Sequence, residues 1–142
     1  MYVVELVQKL IKKYKTSDPF AIREEKKIEI IYDDLEPDVR GFYQYYKRKS
    51  IIHLNCNMNS NEQRIVLAHE LGHEIMHKGY NCIFLSRHTY MTTHIYEHQA
   101  NKFAATLLLP DTVPKEYQEL NGQQLAMLYR VPEEFIDIKW KK

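Results

Sequence analysis

What this sequence lacks narrows its function before any motif is considered. It holds two cysteines, Cys56 and Cys82, too few for the disulfide framework of a small secreted domain. It has no surplus of charge: 20 Lys and Arg stand against 19 Asp and Glu, a net charge of +1 with neutral histidine. So even a balance leaves no electrostatic footprint for nucleic acid or for an acidic membrane surface. No run approaches the roughly 18 consecutive apolar residues that a membrane span requires. The opening MYVVELVQKLIKK lacks the order of a secretory signal, because Glu5 interrupts its apolar stretch and the lysines follow it. Internal repeats, low-complexity stretches and interdomain linkers are also missing. The expectation is a soluble, cytoplasmic, single-domain protein that binds neither nucleic acid directly nor a membrane.

What is present is a core and an excess of two residue types. Hydrophobic residues make up 44% of the 142 positions, too many for a disordered chain. Eleven tyrosines and seven histidines accompany only four glycines. Tyrosine explains itself through packing at half-wet surfaces. The histidines do not, because five of the seven fall within the 26 residues from His69 to His94.

Periodicity predicts N-terminal helices over 1–26, with Asp18-Pro19 opening the second, and a sheet over 27–56. Strand-like runs occur at 28–32, 41–46 and 50–54, the last two forming a hairpin around Lys47–Lys49, a basic run read as a solvated turn. Two strong helices follow at 60–78 and 93–109. Asn59, Ser60 or Asn61 can cap the first, and Gly79 is placed to stop it. A helical tail covers 111–142. The fold class expected is α+β, a single domain over 1–142 with a small antiparallel sheet and two central helices.

The first of these helices carries His69-Glu70-Leu71-Gly72-His73, an H-E-x-x-H motif. At about 100° per residue, His69 and His73 lie roughly 40° apart and one turn apart along the axis, so both rings can meet one zinc ion. Glu70 lies about 60° from His73, badly placed as a ligand and well placed as a general base. Ile65, Ala68, Leu71, Gly72, Ile75 and Met76 form an apolar arc for burial.

A catalytic zinc site uses three protein ligands and leaves a position open. The metzincin pattern is excluded, since Met76 and Gly79 stand where it needs Gly and His. His77 lies two turns from His69, too far along a straight helix to close on the same ion, and suits the cleft wall or the helix end. Glu74 is on the wrong side. Glu97 is the better third ligand, with Asn101 one turn on to hold the free N–H of His69; His98 points away. For an oxyanion donor, Tyr80, His88, Tyr90, His94 and Tyr96 flank the site and spacing singles out none. His94 or Tyr96 is preferred, because the helix bearing Glu97 keeps them close.

With these motifs in place, the sequence resembles ImmA/IrrE-type zinc metallopeptidases over most of its length. The likeness is carried by Asp18-Pro19-Phe20, Arg40-Gly41-Phe42-Tyr43, AHELGHEIMHKG at 68–79, EHQANKFAATLLLP at 97–110 and LAMLYRVPEEF at 125–135. The resemblance implies metal ligands at His69, His73 and Glu97, a base at Glu70 and a single-domain peptidase core. It also implies a protein substrate, a helix–turn–helix transcriptional repressor of a phage, mobile element or stress regulon, whose cleavage lifts repression. Two rival readings stay open: a non-catalytic antirepressor module that binds the repressor and retains a zinc site, and a zinc hydrolase acting on a non-peptide bond. The tail has the rhythm of a helix–turn–helix unit. Its second helix, however, carries Glu133, Glu134 and Asp137, which phosphates would repel, so packing or substrate contact is the expected role.

Overall fold

The computed structural model describes residues 2–77 and 90–140, with side chains in the second stretch from His94 onward. Helix α1, Tyr2–Tyr14, buries Val3 and Val7, with Leu10, Ile11 and Tyr14 packed against the core. In α2, Pro19–Glu25, Asp18 caps the N-terminus by accepting from the Phe20 amide at 3.0 Å, and Pro19 occupies the first turn as its sequence signal predicts.

Three strands follow: β1 Glu29–Asp33, β2 Gly41–Tyr46 and β3 Lys49–Asn55, in the order β1-β3-β2. The expected antiparallel sheet is in fact mixed. β2 and β3 form the hairpin, but β1 runs parallel to β3, with Ile30 opposite Ile52. The connection after β1 explains the difference, since it carries the chain to the far side of β3 before β2 begins. Asn55 holds that connection in place. Its side-chain amide donates to the carbonyls of Leu35, Glu36 and Val39 at 3.3, 3.2 and 2.9 Å. The face of Tyr43, Ile52 and Leu54 is fully buried.

Scarce glycine has a visible counterpart in the backbone. Among the described residues, the five non-glycine positions with positive φ are all cationic: Lys15, Lys27, Lys47, Arg48 and Arg130, with φ from 50° to 66°. Lys47 and Arg48 are the two central residues of the hairpin turn, where left-handed pairs match the strand twist. Lys15, Lys27 and Arg130 follow or cap helix C-termini, where a cation complements the exposed carbonyls.

Helix α3, Ser60–Met76, starts in a capping box: Asn59 Oδ1 accepts from the Glu62 amide at 2.8 Å, and Glu62 accepts from the Asn59 amide at 3.2 Å. It ends at His77, which caps it; Gly79, the predicted stop, lies outside the described residues. Helix α4, Tyr90–Leu108, begins earlier than predicted and buries Ala100, Phe103, Ala104 and Ala105. Helices α5, Gly122–Tyr129, and α6, Glu133–Trp140, complete the domain. α6 buries Phe135 and Ile136, and Lys139 Nζ donates to the carbonyls of Thr106 and Leu109 at 2.9 Å each, closing the C-terminus of α4. The tail therefore packs on the core. Among the described residues, no helix is long and apolar enough to cross a membrane.

The α3–α4 contact positions everything that follows. A Cβ on Gly72 would lie 3.1 Å from Phe103 Cβ and 3.2 Å from the Ala100 Cα, so only glycine lets the two backbones approach this closely. Alanine would gain about 1 kcal/mol in helix propensity and lose about 1–3 kcal/mol to overpacking, because it meets the Ala100 backbone and the root of the fully buried Phe103 side chain. Gly72→Ala is expected to destabilise by about 1 kcal/mol in denaturant unfolding, and Gly72→Val by more. An alanine variant as stable as the parent would contradict this helix contact.

Candidate metal centre

The register of α3 against α4 sets Glu97 opposite the two motif histidines. Glu97 Oε2 lies 2.7 Å from His69 Nε2 and 3.0 Å from His73 Nε2. The two rings stand edge to face, 4.9 Å between centroids and 80° between planes, as expected for histidines one turn apart. One ligand atom from each of the three residues lies within 4.8 Å of the others, a group that could hold a metal ion. Two imidazole nitrogens and a carboxylate oxygen are a donor set suited to zinc among the common ions.

The nitrogens facing away from Glu97 are occupied as well. His69 Nδ1–H donates to Asn101 Oδ1 at 2.8 Å, and the Asn101 amide nitrogen faces Glu134 Oε1 of α6 at 3.3 Å. The Nδ1 of His73 lies 2.9 Å from the Nδ1 of His77, whose Nε2 lies 2.8 Å from Gln99 Oε1. The Tyr96 ring packs against His77 at a tilt, 4.2 Å between centroids and 46° between planes. Sequence reasoning singled out Asn101 from its position one turn after Glu97 and left His77 without a partner. It missed Gln99 and Glu134. Gln99 stands in the same short segment as Glu97 but on another side of the helix, and Glu134 reaches the site from an element 33 residues away.

Electrostatics follow from this packing. Burial alone would disfavour a charged His69, yet the bond to Glu97, the charges of Glu70 and Glu97 and the bond to Asn101 outweigh it and raise its pKa to about 9. Burial would likewise raise Glu97, but the bonds and charges of His69 and His73 hold its carboxyl well below the usual carboxylate range. His77 moves the other way. Burial lowers its pKa, helped by the charges of His73 and His69 and opposed by Gln99 and Glu97.

A cleft of about 360 Å³ opens over the group, lined by His69, Glu70, Glu97 and Asn101 together with Arg40, Gly41 and the apolar Ile65, Val66, Pro132 and Phe135. Glu70 is 5% exposed and stands outside the three-residue ligand group. Glu74 faces elsewhere, buried and 3.6 Å from Lys26 Nζ, in keeping with its wrong-side placement on the helix. His98 is exposed. Of the two preferred oxyanion donors, His94 is exposed and Tyr96 packs on His77; neither lines the cleft. Tyr80, His88 and the Tyr90 side chain lie outside the described residues.

The chain is also similar to known proteins. Residues 23–141 match the IrrE N-terminal-like domain of peptidase family M78. The chain is 40% identical over 135 residues to the uncharacterized immunity region protein 2 of Bacillus phage phi105, covering 94% of this chain and 85% of that protein. It is 32% identical over 137 residues to the metallopeptidase ImmA of Bacillus subtilis (strain 168), covering 94% of this chain and 80% of that protein. Among solved structures, a Mycobacterium tuberculosis transcriptional regulator superposes with a TM-score of 0.59 at 13% identity, over 97% of this chain and 46% of that one. That likeness is one of fold, and this chain spans less than half of the regulator. A family match across most of the sequence, and two phage-type and bacterial relatives aligned nearly end to end, establish that this chain belongs to the ImmA/IrrE-type family of metallopeptidases, family M78.

Proposed function

We propose that this protein is a zinc-dependent endopeptidase, a zincin-like domain in which α3 and α4 hold the metal, and that it hydrolyses a peptide bond in a helix–turn–helix transcriptional repressor to relieve repression. The observation that carries the reading is the presence of Glu70 in the same cleft as His69 and Glu97, outside the ligand group. A site that only held an ion would have no use for this carboxylate. His69, His73 and Glu97 would hold the ion, and Asn101 would orient His69. When bound, zinc supplies Lewis-acid polarisation of the carbonyl and lowers the pKa of water toward about 7. Glu70 takes the proton from the attacking water and returns it to the departing amine nitrogen, so the peptide bond breaks and two termini form. Ile65, Val66 and Phe135 offer the substrate an apolar wall and exclude bulk water from that proton transfer. The name of the bacterial relative, a metallopeptidase, supports the peptidase reading; the repressor substrate is what the family resemblance implies, and the phage relative is named only as an immunity region protein.

The ion-binding assignment has two expected outcomes. Glu97→Ala loses most of the zinc by elemental analysis, whereas Glu74→Ala, on the far side of α3, retains about one ion per chain. In the ion-free protein His69 stays protonated up to about pH 9. Zinc must displace that proton, so binding at pH 7 is expected to release about one proton, and apparent affinity rises as the pH climbs toward 9. Calorimetry in two buffers of different ionisation enthalpy measures this release; a buffer-independent enthalpy would contradict it.

Glu70→Gln separates catalysis from binding. The variant is expected to fold, retain zinc and bind the repressor, yet cleave it at least about 100-fold more slowly, the scale of a lost general base. The assay is a gel of a co-expressed helix–turn–helix repressor beside a reporter of its promoter. Equal derepression by both forms with the repressor intact would establish the antirepressor-module reading instead.

A further inference from the structure

The two histidines of the group are held differently. Asn101 meets His69 with an amide oxygen, which can only accept. Its orientation is fixed separately, because its amide nitrogen faces Glu134. Nδ1 of His69 therefore keeps its hydrogen, and the proton an ion displaces is the one on Nε2, whose lone pair then faces the ion. His73 meets no such one-way partner. Its Nδ1 faces the Nδ1 of a second imidazole, His77, at 2.9 Å. Two ring nitrogens at this distance share one hydrogen, and either ring can supply it. If His77 donates, neutral His73 must carry its proton on Nε2, the nitrogen that faces Glu97, and cannot coordinate there. If His73 donates, its Nε2 is available.

Gln99 decides between the two. Its Oε1 lies 2.8 Å from His77 Nε2 and accepts the hydrogen there. A neutral imidazole with its proton on Nε2 presents a lone pair at Nδ1, and that lone pair accepts from His73 Nδ1–H. Bulk water scarcely competes, since His73 and His77 are 1% and 4% exposed. The Tyr96 ring packs against His77 at a tilt and limits its rotation. We propose that His77 and Gln99 are positioning residues for His73: Gln99 selects the Nε2–H tautomer of His77, and His77 in turn directs the Nε2 lone pair of His73 toward the metal. This rests on the reading of His69, His73 and Glu97 as the metal ligands. It assigns to His77 a task other than coordination, since both of its ring nitrogens are engaged.

The test uses the full chain, with zinc affinity measured by competition with a chromophoric chelator and ring tautomers read from long-range 1H–15N correlation spectra of the zinc-loaded protein. The expected spectrum has His69 and His73 metal-bound through Nε2 with hydrogen on Nδ1, and His77 neutral with hydrogen on Nε2. His77→Phe keeps a ring against Tyr96 and removes the acceptor, and should weaken zinc binding by about 10–100-fold. His77→Asn returns an acceptor oxygen near the Nδ1 position and should recover a large part of that loss, which a purely space-filling role for His77 would not produce. Gln99→Leu should weaken binding while shifting the His77 hydrogen away from Nε2, and it carries the test if the Phe variant fails to fold. Wild-type affinity in both His77→Phe and Gln99→Leu, or a His77 hydrogen resident on Nδ1 in the zinc-loaded wild type, would overturn the proposal while leaving the three ligands intact. Wild-type protein that binds no zinc would overturn the metal reading and this inference together.

Discussion

The close approach of α3 and α4 at Gly72 is the constraint on which the rest depends. With no side chain at that position, Ala100 and Phe103 come within about van der Waals distance of the neighbouring helix backbone. One turn before this contact on α4 stands Glu97, and flanking it on α3 stand His69 and His73. A single carboxylate oxygen reaches both rings because the helices touch there. Were the axes held apart by a larger residue, one glutamate could not serve two histidines at hydrogen-bonding distance. The core packing of Leu71, Ala100, Phe103 and Ala104, all fully buried, is thus the mechanical support of the polar group above it.

That polar group, which could hold a metal ion, is also internally balanced in charge. Without a counter-charge, the half-buried Glu97 carboxylate would face two neutral rings. Here a proton supplies the counter-charge: the pKa of His69 is raised and that of Glu97 lowered by their mutual contact. The three side chains are thus already gathered by their own hydrogen bonds.

Much of this was legible in the sequence, and the parts that were not share a cause. Helix-face arithmetic brought His69, His73 and Glu70 to one side of α3, and the same arithmetic linked Asn101 to Glu97 on α4. Capping chemistry located the start of α2 and offered Asn59 as the cap of α3. The parallel pairing of β1 with β3 was not legible, because it depends on Asn55 binding three carbonyls of a connecting segment that has no period. Neither were the contacts of His77 with Gln99 and of Asn101 with Glu134, each of which joins two elements whose relative rotation no single-helix pattern records.

One consequence follows from how tightly α4 uses a single short stretch. Between Tyr96 and Asn101, every residue but His98 meets α3 or its cap: a ring on His77, a carboxylate on two histidines, an amide on His77, the Ala100 Cα beside Gly72, and an amide on His69. Turning α4 about its own axis by one residue step, about 100°, would break all of these together and offer no partial set in exchange. The helix thus behaves as a key with one seated angle, and the groove at Gly72 is the notch that keeps it there.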